Sequence, residues 1–375
     1  MTRKVYISAT NALTALGLNP EDTLRGMREA RSGIRLWEDE AVSAEPFWAS
    51  RLDFAALPLD PPREFSRFER MVAHSIALAA ARSPIDLRAD TTLFLFSTTK
   101  GNIDLLPDGG RLKLEESCAY IARYFGNANR PVVVSNACIS GTAAIILGKR
   151  FIQSGRYRHV VAVGADLVSA FVLSGFQSFK ALSEGPCKPF DRDRTGLSLG
   201  EGAATMILSA DNDSGKYVDW IVAGGSISND ANHISGPSRN GEGLALAIEA
   251  ALSDAGQVGI PRENLGFISA HGTATPYNDE MEAKALNAAG LQNVPLSSYK
   301  GYWGHTLGAA GLIEAVMTLE ALSERLLLPS LNYVNHGVSL PLDIVVSERV
   351  SEATCFLKTS SGFGGCNAAL VIGKI

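Results

Sequence analysis

The sequence predicts an α/β protein built from two similar halves. Apolar runs of strand length alternate with helix-length stretches of small or amphipathic character through all 375 residues. The order of these stretches also repeats. A buried strand ending in a polar loop, then a strand leading through a turn into an apolar helix, occurs once before residue 211 and once after it. The composition, 46% hydrophobic and 19% charged, leaves enough apolar surface to fill a large core on both sides of each sheet.

Taken in order, Lys4–Ala9 reads as the first strand, followed by a polar turn and a helix from about Pro20. Ala44–Pro62 is a proline-rich connection, and Arg67–Ala81 is helical. Thr92–Ser97 (TLFLFS) is a buried strand ending in the polar loop Thr98–Asp104. Val132–Val134 is a short β-branched strand and Asn136-Ala137-Cys138 a turn. From Ser140 small and apolar residues run at helical spacing through Phe151. Arg158–Gly164 and Thr205–Leu208 complete the first half. Asp211–Lys216, short, polar and glycine-containing, is the joint, so the halves are 1–212 and 213–375. In the second half Leu265–Ala270 ends in the loop His271–Asp279, and Val294–Ser298 precedes a glycine-rich turn and the helix Ala309–Ser323. Cys355–Thr359 and Ala368–Ile372 are the closing strands. Similar halves meet face to face, with helices between and outside the sheets, and their strand-end loops converge on one cleft.

Several function classes are disfavoured. Five widely spaced cysteines argue against a disulfide framework and for a reducing, cytoplasmic setting. There is no CxxC pair and no HExxH, so no metal is expected. A net charge of −5 without a long basic run speaks against nucleic acid. No apolar stretch approaches a membrane span, near the N-terminus or later. No GxGxxG or GxxxxGK[ST] fingerprint precedes a helix.

The chemistry gathers on four segments. Cys138 sits where a strand stops and a buried helix starts, and the free N–H groups and dipole of a helix terminus favour a thiolate. His271 follows a buried strand directly, in HGTATPYND. His305 lies in the matching position of the repeat, five residues after Lys300, in YKGYWGH. Ser360–Asn367 (SSGFGGCN) is a glycine-rich turn between two buried strands, of the kind that brings a backbone N–H against a substrate oxygen. One cysteine, two histidines and a lysine point to thiol-based acyl transfer, with neutral imidazoles donating to a developing enolate or oxyanion. A Cys–His protease would leave the second histidine and the lysine unexplained.

With these segments in order, the chain resembles the elongating β-ketoacyl-[acyl carrier protein] synthases of fatty-acid and type II polyketide synthesis. The resemblance rests on KVYISATNALTALG, SNACISGTAA, CKPFDRDRTGLSLGEGAATMIL, HGTATPYND, YKGYWGHTLGAAGLIEAV and SGFGGCN, collinear across the chain. It implies a thiolase-like, five-layered αβαβα fold from two duplicated βαβαβαββ halves. It also implies roles. Cys138 would carry the acyl chain as a thioester. His271 and His305 would hold the thioester carbonyl of a malonyl extender during decarboxylation. Lys300 would order the site around His305, with Glu314 interacting with the lysine. The backbone N–H groups of Cys138 and Phe363 would form the oxyanion hole, and Phe363 would gate the acyl pocket. Thr273 and Thr275 would contact the phosphopantetheine arm.

The implied partners are an acyl carrier protein and a second subunit, in a homodimer or in a heterodimer with a ketosynthase-like chain; no cofactor is implied. Carrier proteins are acidic, so Arg63, Arg67, Arg70 and Lys180 are the candidate docking cations. The chain departs from the family pattern at Ser361, where a bulky aromatic is usual, at Cys366, where Thr is usual, and in a short Gly101–Arg130. Ser361 therefore predicts a wider pocket. His233 matches a family position read as structural. Two rival readings follow: a thiolase using Cys366 as a second thiol, or a non-catalytic chain-length-factor-like subunit, which would typically lack the cysteine.

Overall fold

In the computed structural model, residues 3–57, 61–107, 109–212, 215–231 and 236–375 are described. Residues 213 and 214 of the expected joint, and His233, lie outside them. The first half runs β1 (Tyr6–Leu13), α1 (Arg67–Ala80), β2 (Thr92–Ser97), α2 (Leu114–Tyr124), β3 (Val132–Val134), α3 (Ser140–Gln153), β4 (His159–Asp166), β5 (Gly202–Ser209). The second runs β6 (Trp220–Asn229), α4 (Glu242–Gly256), β7 (Phe267–Ser269), α5 (Pro276–Ala288), β8 (Leu296–Ser297), α6 (Ala310–Ser323), β9 (Cys355–Gly362), β10 (Cys366–Lys374).

These strands form one mixed sheet in the order β8-β7-β9-β10-β6-β1-β5-β4-β2-β3. Each half contributes five strands in the same internal order. In each, the first three neighbours from the outer edge are parallel and the remaining pairs antiparallel. The halves join where Tyr6 of β1 pairs with Ile221 of β6. Both halves therefore follow the βαβαβαββ pattern.

Strand alternation separates the layers. On β2, Leu93 and Leu95 face the central core and Phe94 and Phe96 the outer core of the first half. On β10, Ala368, Leu370 and Ile372 face the centre while Ala369 and Val371 face the outer core of the second half. Helices α3 and α6 fill the centre; α1 and α2 cover one outer face, α4 and α5 the other. The central helices touch through paired glycines. A Cβ on Gly141 would stand 2.7 Å from the Leu312 backbone N, and one on Gly311 would stand 2.7 Å from the Thr142 backbone N. Only hydrogen at both positions lets the two helices, and the loops leading into them, approach this closely.

The first strand begins and ends later than the residue pattern predicts. Ser8, Thr10 and Asn11 are buried on it, and polar residues at inward positions broke the apolar signal; Thr10 is satisfied by the Tyr217 hydroxyl at 2.8 Å. The connection Ala44–Pro62 holds a strand, Phe47–Ser50, between Ile34–Trp37 and Leu199–Gly200. That pairing spans most of the first half, so local sequence carries no sign of it. The glycine turn is narrower than expected: β9 and β10 pair through Ser361↔Asn367 and Gly362↔Cys366, leaving Ser360 and Ser361 on a strand.

Candidate active site

Cys138 is held by a strained elbow. Ala137 before it has φ 45°, the left-handed region that costs a residue with a Cβ about 1 kcal/mol or more. Ser140 braces the turn: its hydroxyl donates to the Ala137 carbonyl at 2.7 Å and accepts from the Asn136 N–H at 2.8 Å. Cys138 as a residue is 7% exposed. Burial pushes its thiol up to about 12, with Cys366 and Asp166 adding to the rise; Lys300 and a Phe363 backbone N–H donating to the sulfur oppose it. The helix terminus favours a thiolate, and burial of the thiol opposes it.

His271 and His305 face each other with ring centroids 5.3 Å apart, nearly perpendicular. Both are buried, and burial, followed by the positive charge of Lys300, holds both well below the usual imidazole range, so both rings are neutral. The Glu282 carboxylate fixes the backbone under His271, accepting from the His271 N–H and the Gly272 N–H, each at 2.8 Å. His305 is placed through its main chain, its N–H donating to the Ser198 carbonyl at 2.7 Å. Among the described residues neither of its ring nitrogens has a hydrogen-bond partner.

Behind the rings lies a buried lysine–glutamate–lysine bridge. Lys300 Nζ donates to Glu314 Oε1 at 2.6 Å and to the His271 carbonyl at 2.5 Å, and stands 3.4 Å from His271 Nδ1. An ammonium has only donors, so Nδ1 is the acceptor and the His271 proton sits on Nε2. Lys300 thus touches His271 directly and acts on His305 through its charge. Lys358 Nζ stands 2.6 Å from Glu314 Oε2. The turn carrying Lys300 is anchored by Tyr299, Tyr302 and Trp303, all fully buried. Each such ring removes on the order of 200 Å² from water, about 5 kcal/mol of gross stabilisation.

Cys138, His271, His305, Thr273, Thr275, Ser361, Phe363 and Lys180 line one cavity of about 420 Å³. The Thr273 and Thr275 hydroxyls are 2.9 Å apart, and Ser361 Oγ donates to Asn367 Oδ1 at 2.7 Å. The Phe363 ring lies 5.8 Å from that of Phe176 and 5.4 Å from that of Phe179, centroid to centroid. Lys300 and Glu314 stand behind the lining. Arg63, Arg67 and Arg70 do not line it. Arg67 is engaged elsewhere, 3.4 Å from the buried Glu201 carboxylate and 4.6 Å from the centre of the Phe54 ring. Cys366 does not line the cavity; its thiol donates to the Phe363 carbonyl at 3.3 Å and lies beside the Cys138 turn, 3.8 Å from the Asn136 carbonyl oxygen.

Residue reasoning missed Lys358, Glu282 and the Phe176–Phe179 pair. For Lys358 a signal existed, a lysine inside the apolar strand CFLKTSS. For Glu282 there was none, because an acid on an acid-rich helix reads as solvated. Among the described residues no group of histidines, cysteines and carboxylates could hold a metal ion, and no helix is long and apolar enough to cross a membrane.

Comparison with known proteins agrees with this geometry. Residues 108–214 match the model for the N-terminal domain of β-ketoacyl synthases, and 220–334 the model for the C-terminal domain. The 3-oxoacyl-[acyl-carrier-protein] synthase 2 of Vibrio cholerae is 37% identical over 260 residues, 65% of this chain and 62% of that protein. The protein of the same name from Vibrio harveyi is 29% identical over 420 residues, 100% of this chain and 99% of that one. Among solved structures, the ishigamide ketosynthase/chain length factor superposes with a TM-score of 0.89 at 26% identity, each chain covered in full. A ketosynthase in complex with its chain length factor, from Xenorhabdus doucetiae, superposes with a TM-score of 0.87 at 27% identity over 100% of this chain and 98% of that one.

Proposed function

The chain belongs to the β-ketoacyl synthase family, and from that premise we propose that it condenses an acyl group held on Cys138 with malonyl-[acyl carrier protein]. The reaction is an acyl transfer of fatty-acid or polyketide synthesis. One observation carries the reading: a thiol, two neutral imidazoles and a backbone N–H at the thiol's sulfur converge on a single cavity.

The steps follow from the placement. Cys138 attacks the acyl thioester of a carrier; the C–S bond to the phosphopantetheine breaks, and the thiol proton leaves with that sulfur. Malonyl thioester then enters between the imidazoles. His271 Nε2–H and a ring N–H of His305 donate to its thioester oxygen, so that loss of carbon dioxide leaves a stabilised enolate. The enolate carbon attacks the Cys138 thioester, whose oxyanion is held by the N–H groups of Cys138 and Phe363. Collapse frees the β-ketoacyl product, and the Cys138 thiolate takes up one proton from water to restore the thiol. No cofactor beyond the carrier's phosphopantetheine takes part, and Thr273 and Thr275 hold that arm.

Phe363, wedged against Phe176 and Phe179, gates the cavity. Docking of the acidic carrier falls to Lys180 at the cavity, with the exposed Arg63 and with Arg70; Arg67 is spent on Glu201. The chain works as a dimer in the cytoplasm, with itself or with a ketosynthase-like subunit. This is supported by β3, which lies at the end of the sheet with half-exposed valines, and by five unpaired thiols. The halves 1–212 and 213–375 remain our division of the chain, supported by their identical strand order. Cys366 does not line the cavity and Cys138 does, which favours neither the thiolase nor the non-catalytic subunit.

Mass spectrometry of Cys138 after exposure to carriers loaded with different acyl chains tests the reading. Acylation confined to Cys138, followed by product release on adding malonyl carrier, is expected. Lys180→Glu should raise KM for carrier-bound substrates and leave pantetheine analogues unaffected. Transfer between acyl-coenzyme A molecules without a malonyl donor would indicate the thiolase, and failure of Cys138 to acylate the non-catalytic subunit.

A further inference from the structure

Lys358 lies in the middle of β9, fully buried, and none of the steps above uses it. Its surroundings are specific. Nζ lies 3.1 Å from the Ser269 carbonyl oxygen, 3.2 Å from that of Ala270 and 2.6 Å from Glu314 Oε2. Two carbonyl oxygens accept from the amine and the Glu314 carboxylate forms an ion pair with it, supporting its charge against burial. Lys300 meets the other oxygen of the same carboxylate and the next carbonyl, that of His271. Two lysines sharing one glutamate therefore cap three successive carbonyls, 269 to 271, where β7 ends and the histidine begins.

We infer that Lys358 is a positioning residue for the decarboxylation half of the reaction. It fixes the strand end that carries His271, and by holding Glu314 it keeps the Lys300 ammonium on His271 Nδ1. The inference rests on the reading of His271 and His305 as the pair that holds the extender. The charged or titratable groups around these rings are Lys300, Lys358 from β9, Glu314 from α6, Glu282 from α5 and Cys138 before α3. Lys358 adds positive charge on the side of the imidazoles away from the cavity, which disfavours imidazolium and favours an enolate in front of them.

The test compares Lys358→Met and Lys358→Gln with the intact chain, measuring malonyl-carrier decarboxylation against pH and, separately, acylation of Cys138. Gln keeps N–H donors for the carbonyls and loses the charge. Both variants should acylate at the normal rate. Decarboxylation kcat should fall on the order of tenfold, with KM little changed, and its acid limb should move up by roughly one pH unit as protonation of the rings becomes easier. Met should lose more than Gln. A merely structural lysine would lower acylation and decarboxylation together and leave the acid limb where it was, and that result would overturn the inference. Should neither variant fold, ¹⁵N NMR of the intact chain decides: His271 neutral with its proton on Nε2 at pH 6 is expected, and an imidazolium there refutes it. Failure of the intact chain to acylate Cys138 or to decarboxylate malonyl carrier would instead count against the function.

Discussion

The two halves turn into their central helices through the same elbow and load it differently. In the first half Ala137, at φ 45°, stands three residues before α3; in the second Leu307, at φ 51°, stands three residues before α6. The residue after the left-handed one is Cys138 in the first case and Gly308 in the second. Cys138 presents its side chain to the cavity. Gly308 has no room for one: a Cβ there would stand 2.8 Å from Asp166 Oδ2 and 2.9 Å from the Thr99 N, while its own N–H donates to Asp166 at 2.7 Å. The connections differ in length as well. Residues 135–139 join β3 to α3 in a tight turn with one functional side chain. Residues 298–309 join β8 to α6 with room for the short helix Lys300–Trp303 and for His305. A duplicated backbone thus serves two tasks. The short elbow carries the Cys138 thiol in an apolar setting, and the long one carries Lys300 and His305.

Removing the thiol or either imidazole separates the two half-reactions most sharply. Cys138→Ala should lower condensation about 10⁴-fold or more while malonyl decarboxylation persists. His305→Ala and His271→Ala should each cost on the order of 10²–10³ in decarboxylation while Cys138 still acylates. Rates of the two half-reactions in the three variants decide it; loss of acylation with normal decarboxylation in a histidine variant would reverse the assignment. Gly308→Ala asks whether the second elbow is closed to side chains. The added methyl meets a buried carboxylate and main chain, so a loss of about 1–3 kcal/mol in urea denaturation is expected. An unchanged midpoint would mean that Asp166 can move aside. The smallest effect concerns the rim. Ser361 lines the cavity on a strand, so Ser361→Phe should shift the preferred acyl chain length by a few-fold in relative rate, and an unchanged acyl profile would remove Ser361 from the acyl path.

Acid sensitivity follows from the two buried imidazoles. His271 and His305 are neutral when folded and take up protons near pH 6.5 when unfolded. Because the unfolded chain then binds more protons, stability should fall as pH drops below about 6.5. Each imidazole contributes at most about 1.4 kcal/mol per pH unit until the folded site itself protonates. Denaturation midpoints between pH 7 and 5 measure this. A flat profile would show that the rings are not held neutral.

The strand and helix alternation, the repeat, and Cys138, His271, His305 and Lys300 were legible in sequence. A buried strand, a glycine turn and a reactive residue at a strand end are all local patterns. The burial of Thr10 and Asn11 on β1 was not legible, nor the pairing of Phe47–Ser50 with Leu199–Gly200, nor Arg67 turning onto Glu201, because each depends on a partner far along the chain. The state of the site was decided by tertiary structure alone. A helix terminus next to Cys138 favours a thiolate, and the burial that pushes the thiol up arises only when distant segments enclose it. Likewise Lys358 stands out in sequence only as a lysine in an apolar strand, and its partners, two carbonyls and Glu314, come together only when the second half folds. Residue types state which chemistry is possible; the dielectric and the partners that set protonation arise only when distant segments exclude water together.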